Sequence, residues 1–184
     1  MFSKKKEKLY IVFSYTGTLF SKFLKIMTWS KYVHLSISFD KDLKEIYSFG
    51  RKNPRNIFPA GFTKEDPRDM IKVYKKMVSI VYELEIDKTK VKDVKKDIEK
   101  YIEEENKFRY DILGMPLMFF GKSYNRKYHR VCSQFVGKLL QDNNIHNFNK
   151  HYSLIKPVDI YNMKNKKVLF QGRMKDYLEE VQDR

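Results

Sequence analysis

The chain is short of the residues that define several protein classes: its 184 residues include one cysteine, seven glycines and five prolines. A single cysteine excludes a disulfide framework and a cysteine-rich zinc site. So little glycine and proline exclude collagen-like and linker-like chains. The sequence lacks an apolar run of about 18 residues, so it predicts no transmembrane helix. Its basic start has neither a long apolar core nor a small-residue cleavage site, and we expect a cytoplasmic protein without a signal peptide.

Apolar residues and positive charge are abundant. Hydrophobic residues make up 42% of the chain and aromatic residues 15%, enough for one packed core, and we expect a single domain over residues 1–184. The net charge of +15 favours an anionic partner such as nucleic acid or a phospholipid surface. The excess is mostly lysine, however, whereas specific phosphate or base recognition relies on arginine. We therefore interpret it as a solvated basic surface and expect no obligatory nucleic acid.

The hydrophobic pattern changes period along the chain. Alternation and short apolar runs predict strands at 9–14, 34–39, 45–50, 80–86 and 167–170. Helical spacing predicts helices at 18–29, 89–107 and 132–143. Residues 51–70 carry three of the five prolines and are predicted to form a long loop, and residues 108–128 are irregular. Hairpins with separate helices predict an α+β fold.

Cys132 stands where the pattern predicts a helix to begin. A helix N-terminus favours a thiolate, the reactive form of cysteine. The polar Ser-Gln pair that follows predicts a partly open helix start. The alternative is that Cys132 is a small buried hydrophobic residue, the usual state of a lone cysteine.

A thiol hydrolase needs an imidazole to take and return a proton, and the chain has four histidines. His129 is close to Cys132 in sequence but lies in an irregular segment, and His146 and His151 lie in a polar loop. His34 is predicted to lie on a strand, on the same face as the serines that follow, and strands hold catalytic groups rigidly. We therefore favour His34.

Three segments together resemble circularly permuted NlpC-type, papain-like cysteine hydrolases: YVHLSISFD, EIYSFG and VCSQFVGKLLQDNNI. In that family of permuted papain-fold amidases, which is related to bacterial proteins and to the lecithin:retinol acyltransferase-like proteins, the histidine precedes the cysteine, as His34 precedes Cys132 here. The resemblance extends over about residues 9–162. It implies an antiparallel sheet with the cysteine helix packed against it, and an acyl-enzyme on Cys132 with His34 as general base.

The resemblance also implies a third residue that orients the imidazole. The equivalent position is Ser48, a departure from relatives that have Glu, His, Asn or Gln there. Glu45 is the alternative because it carries a charge, although strand alternation places its side chain on the opposite face from Ser48. For the oxyanion or substrate we consider the Cys132 N–H, Tyr32 and Ser133. Tyr32 resembles a tyrosine that some relatives place beside the thiol, and is otherwise a packing residue.

No metal or other cofactor is expected, because one His/Cys pair is too little for zinc and no glycine-rich phosphate loop occurs. The substrate would contain an amide or ester bond, in a peptide, a cell-wall peptide or a lipid-like molecule. Residues 18–29 and 51–70 are expected to build an apolar acyl site. A lipid-directed thiol acyltransferase or thioesterase is the first alternative. A non-catalytic basic module that binds nucleic acid or an anionic surface is the second.

Overall fold

The fold is taken from a computed structural model that describes residues 5–18, 21, 22, 25, 32–56 and 58–183. The strands are β1 Lys6–Tyr15, β2 His34–Ser38, β3 Ile46–Arg51, β4 Ala60–Glu65, β5 Val78–Asp87, β6 Arg109–Tyr110, β7 His129–Arg130 and β8 Lys167–Arg173. The helices are α1 Pro67–Val73, α2 Lys88–Glu103, α3 Gly114–Phe119, α4 Cys132–Asp142, α5 Pro157–Tyr161 and α6 Met174–Gln182. Short 3-10 turns span Glu105–Lys107 and Tyr152–Leu154.

Six strands form one sheet in the order β4-β3-β2-β1-β5-β8, and every neighbouring pair is antiparallel. The two short strands β6 and β7 pair in parallel. The predicted α+β class is therefore confirmed. None of the described helices has the length and apolar character needed to cross a membrane.

Both faces of the sheet are covered by other elements, because β1 has buried side chains on each face. Leu9, Ile11 and Phe13 belong to the larger core cluster, together with buried residues of α2 and α4. Tyr10 and Val12 belong to a second cluster, on the other face, with residues of α6. Because successive strand residues point to opposite faces, alternate side chains of β1 pack into the two clusters. The helix that begins at Cys132 thus packs on the sheet.

The start of α4 is held by its own sequence. Val131 is the extended N-cap, and its backbone N–H donates to the side-chain oxygen of Gln134 at 3.1 Å. That bond satisfies a donor that has no partner within the helix. Phe135, Val136 and Leu139 then bury one side of α4 in the larger cluster. The position of Cys132 is therefore fixed by packing as well as by capping.

The prediction of a loop over residues 51–70 is wrong, because this stretch contains β4 and the first turn of α1. Gly61 explains how β4 fits: a Cβ there would lie 2.4 Å from the Phe108 carbonyl oxygen, so only glycine lets the two backbones approach. Helix α6 was not expected either. The helix predicted at 18–29 lies for the most part outside the described residues.

Candidate active site

The structure brings Cys132 and His34 together. His34 is the first residue of β2 and Cys132 the first residue of α4. The His34 ring and the Cys132 side chain share a hydrogen bond, and the Cys132 Sγ atom lies 4.0 Å from the Val33 carbonyl oxygen. Cys132 is only 3% exposed, so the partly open helix start expected from the sequence is not found.

Glu65, the last residue of β4, holds the other side of the imidazole. Its Oε1 atom lies 2.6 Å from His34 Nε2. Because Glu65 occupies Nε2, the ring nitrogen left for the thiol is Nδ1. The three side chains therefore form one series, from the Cys132 thiol through the His34 ring to the Glu65 carboxylate.

Two serines support the carboxylate and do not replace it. Ser36 donates to Glu65 Oε2 at 2.6 Å, and Ser48 donates to Glu65 Oε1 at the same distance. The two serines are direct partners in the β2–β3 register, so they lie on one face. The prediction that Ser48 orients His34 directly is corrected: Ser48 acts on Glu65. Glu45, the alternative, is exposed and pairs with a surface lysine.

His34 and Glu65 each stabilise the charged form of the other. Burial alone would lower the pKa of His34, but the Glu65 carboxylate and hydrogen bonds to Cys132 and Glu65 raise it to about 10. Burial likewise opposes ionisation of Glu65, but His34 and the hydrogen bonds from Ser36 and Ser48 hold the pKa of Glu65 below its usual range. At neutral pH the pair is an imidazolium and a carboxylate.

Tyr110 is a second polar contact of the thiol. It ends the short strand β6, and its side chain hydrogen-bonds to Cys132. Burial raises the pKa of Tyr110 well above its usual range, and the neighbouring Cys132 raises it further. The phenol is therefore a neutral O–H group at physiological pH, able to donate a hydrogen bond.

Two predicted contacts of the oxyanion or substrate are placed elsewhere. Tyr32 is 3% exposed, packs edge-on against Phe13 and accepts a hydrogen bond from Gln171 Nε2 at 3.3 Å. Ser133 is fully buried, and its hydroxyl donates to the Ile155 carbonyl oxygen at 2.7 Å. The structure assigns both side chains to packing, because their polar atoms are used within the fold.

A cavity of about 490 Å³ opens beside these groups. His34, Glu65 and Tyr110 lie in its wall, whereas Cys132 is not among the described lining residues. The other lining residues include an apolar set: Val33, Pro54, Phe58, Ala60, Met70 and Ile112. The thiol thus sits behind two lining side chains, His34 and Tyr110, each of which bonds to it.

Glu65 and Tyr110 were both missed from the sequence. Glu65 lies in the segment KEDP, where proline and charge predict a turn instead of a strand. Tyr110 belongs to YDILGMP, which the resemblance included as a turn without assigning a role to the tyrosine. Pro67 is a useful signal, because a proline favours the first position of a helix. A helix that begins there places Glu65 just before the N-cap residue, at the end of the preceding strand.

Within the described parts of the chain, no group of three or more His, Cys, Asp or Glu side chains is arranged to hold a metal ion. Comparison with known proteins adds no assignment: no family model matches the chain, and no curated protein or solved structure matches it significantly. The chemistry therefore has to be argued from the geometry of the site itself.

Proposed function

We propose that the protein is a cysteine hydrolase of the permuted papain-like kind, which cleaves an amide or ester bond through an acyl-enzyme on Cys132. The observation that carries this proposal is the hydrogen-bonded series of Cys132, His34 and Glu65 beside a cavity. A nucleophile, a base and a group that orients the base are the three parts that nucleophilic catalysis needs.

The proposed reaction begins with the thiol proton on His34, so that the sulfur is a thiolate beside an imidazolium. The thiolate attacks the substrate carbonyl carbon, and His34 then gives its proton to the leaving amine or alcohol as the thioester forms. Water, deprotonated by His34, attacks the thioester and releases the acid with the thiol restored. Glu65 holds the ring and stabilises its positive charge throughout.

Two donors are available for the oxyanion. The N–H of Cys132 has no partner within α4, because it belongs to the first turn of the helix. The Tyr110 hydroxyl is the second donor, since this side chain both lines the cavity and bonds to the thiol. A carbonyl that enters between His34 and Tyr110 would meet the sulfur and both donors together.

The apolar part of the cavity wall favours a lipid-like acyl group as a second candidate. Val33, Met70 and Ile112 offer a surface on which an alkyl chain is removed from water. A thiol acyltransferase or thioesterase would use the same acyl-enzyme, with an alcohol, amine or water as the acceptor. Product analysis with an added acceptor separates transfer from hydrolysis.

The direct test is covalent labelling of the folded protein by an acyl-type activity probe, read by intact mass. One adduct on the wild type, none on Cys132→Ser and a strongly slowed reaction of His34→Gln are expected. His146→Gln is the matched control, because His146 lies outside the site, and it should label like the wild type. Equal labelling of His34→Gln and His146→Gln would contradict the proposal.

Iodoacetamide supplies an independent test of the thiol. We expect folded wild-type protein to be alkylated, because the thiolate is the nucleophile and His34 can take the thiol proton. The His34→Gln variant should be alkylated much more slowly at the same pH. Alkylation only on unfolding would instead identify Cys132 as a packing residue and leave the basic binding module as the better explanation.

A further inference from the structure

We propose that the cavity opens onto a docking surface for an anionic phospholipid surface. Four large apolar side chains, two that line the cavity and two at the ends of α3, are exposed and are called here the mouth patch. They are Phe58 at 61%, Ile112 at 44%, Leu113 at 65% and Phe120 at 80% exposure. Exposed apolar side chains are ordinary when scattered singly, but a group of them beside a cavity indicates an interaction site.

Helix α3, with Leu113 as its N-cap and Phe120 as its C-cap, explains why these two patch residues act together. Leu113, Leu117 and Phe120 are spaced i, i+4 and i+7, so they lie on one side of this helix. The opposite side carries Met115 and Met118, which are buried against Val33 and Val131. The helix is therefore apolar on its outer side as well as on its buried side.

The two parts of the mouth patch meet at the cavity. Phe58, from the segment before β4, and Ile112, from the segment before α3, both line it. Leu113 follows Ile112 directly and begins the outer side of α3. A surface that covers the patch would therefore also cover the opening that leads to His34 and Tyr110.

The positive charge near the mouth patch favours an anionic partner. Residues 51–64 contain four Lys or Arg residues and no Asp or Glu, and residues 112–130 also lack Asp and Glu while carrying four Lys or Arg. Lys64, Lys122 and Lys127 are exposed among them. Besides Glu65, which is paired with His34, the acids on the cavity wall are Asp66 and Asp69, of α1 and its N-cap. Apolar side chains bordered by lysines match an anionic membrane interface.

A lipid surface accounts for the patch better than nucleic acid does. Ile112 and Leu113 insert among acyl chains but offer no flat ring for bases to stack on, so only the two phenylalanines of the patch would suit nucleic acid. Lysine, a point charge, suits a diffuse headgroup layer, whereas specific phosphate recognition uses arginine forks. The proposal goes beyond the hydrolase function and does not depend on which bond is cleaved.

The test is flotation with phosphatidylcholine vesicles, with and without phosphatidylglycerol, in the Cys132→Ser background so that no lipid can be turned over. The parent protein should float only with the anionic vesicles, and less as salt rises. Leu113→Ser with Phe120→Ser should lower the partition roughly tenfold to a hundredfold, from the apolar area lost. Lys122→Gln with Lys127→Gln should lower it roughly fivefold for each lysine.

Matched controls lie elsewhere on the molecule. Val168→Ser with Leu169→Ser removes exposed apolar side chains from β8, at the sheet edge opposite β4. Lys92→Gln with Lys96→Gln removes the same charge from the exposed side of α2. Val168→Ser with Leu169→Ser should leave binding unchanged, and Lys92→Gln with Lys96→Gln should change it far less than Lys122→Gln with Lys127→Gln. Thermal unfolding of every variant confirms that each is folded.

Two outcomes would overturn the proposal. The first is no flotation of the parent protein with anionic vesicles. The second is binding that the Leu113 and Phe120 changes leave intact while a single-stranded oligonucleotide competes it away, which would assign the basic charge to nucleic acid. Since the assay uses a protein that cannot form an acyl-enzyme, its failure leaves the hydrolase proposal standing, and failed probe labelling leaves this one standing.

Discussion

Glu65 and Asp111 are two carboxylates shielded from solvent. Each is next to a residue that contacts the Cys132 thiol, but their environments differ. Glu65 reaches the thiol through His34, and three side-chain donors satisfy its two oxygens. Asp111 adjoins Tyr110 and uses Oδ1 for the Gly114 N–H at 3.0 Å and for Arg126 at 2.5 Å. The Oδ2 atom of Asp111 has no hydrogen-bond partner among the described residues.

This difference indicates that Glu65 supports the proposed chemistry and that Asp111 supports the fold. The positive partner of Glu65 is an imidazole, whose charge can change during a reaction, whereas the partner of Asp111 is an arginine, which stays protonated. Asp111 also fixes the turn into α3 through the Gly114 N–H. We infer that Glu65 serves the chemistry and Asp111 serves the fold, and the variants below separate these roles.

Removing the charge of each carboxylate should give the largest contrast. Glu65→Gln should slow acyl-probe labelling of Cys132 roughly a thousandfold or more, the size of loss seen for the acid of a Ser-His-Asp triad. Asp111→Asn should change labelling less than tenfold, while it lowers the free energy of unfolding by about 1–3 kcal/mol through the weakened bond to Arg126. Labelling rates and urea unfolding curves measure the two effects.

A reversed pattern would reassign the two roles. If Asp111→Asn loses labelling while Glu65→Gln keeps it, the reactive series runs through Tyr110 instead of His34. Both rates should be measured at a temperature where the two variants are folded, so that unfolding does not imitate lost chemistry.

A change beside the ring should give an intermediate effect. A Cβ at Gly50 would lie 3.0 Å from His34 Cε1, so Gly50→Ala pushes the imidazole by a few tenths of an ångström. We expect labelling to slow roughly tenfold, because small misplacements of catalytic groups are costly. Gly172→Ala is the control, since its Cβ would press on Phe170 at the far strand β8. Unchanged labelling of Gly50→Ala would mean that the His34 position is not critical.

The serines that hold Glu65 should matter least. Ser48→Ala removes one of three donors to the carboxylate, a bond of about 0.5–1.5 kcal/mol, so labelling should slow roughly tenfold or less. Ser36→Ala should behave alike, because its bond has the same length. Glu45→Gln should have no measurable effect, since its ion pair with Lys95 is exposed. A loss for Ser48→Ala as large as that for Glu65→Gln would indicate direct contact with the ring.

The sequence was informative where periodicity was strong. The strand from His34 and the helix from Cys132 both begin at the residue that the pattern indicated, because alternation and helical spacing are local properties. Their proximity, by contrast, was implied only by resemblance. A pair of residues that meet across a fold leaves no periodic trace in a single chain.

The third member of the site could not be read in the same way. Glu65 ends a strand that contains a glycine and follows a proline, so its local signals indicate a loop. What makes β4 a strand is tertiary: its register with β3 and the close approach of Gly61 to the Phe108 backbone. The sequence signal for Ser48 lies on the strand adjacent to His34, and Ser48 reaches the site by touching the Glu65 carboxylate.

The most direct test of the central claim is an NMR titration of the His34 ring in wild-type protein and in Glu65→Gln. In the wild type, the ring should stay protonated through neutral pH and lose its proton only as the pH rises through about 10. In Glu65→Gln the titration should fall by several pH units, because burial then acts without the opposing carboxylate. A wild-type His34 that titrates near 6.5, and is unmoved by Glu65→Gln, would contradict the account.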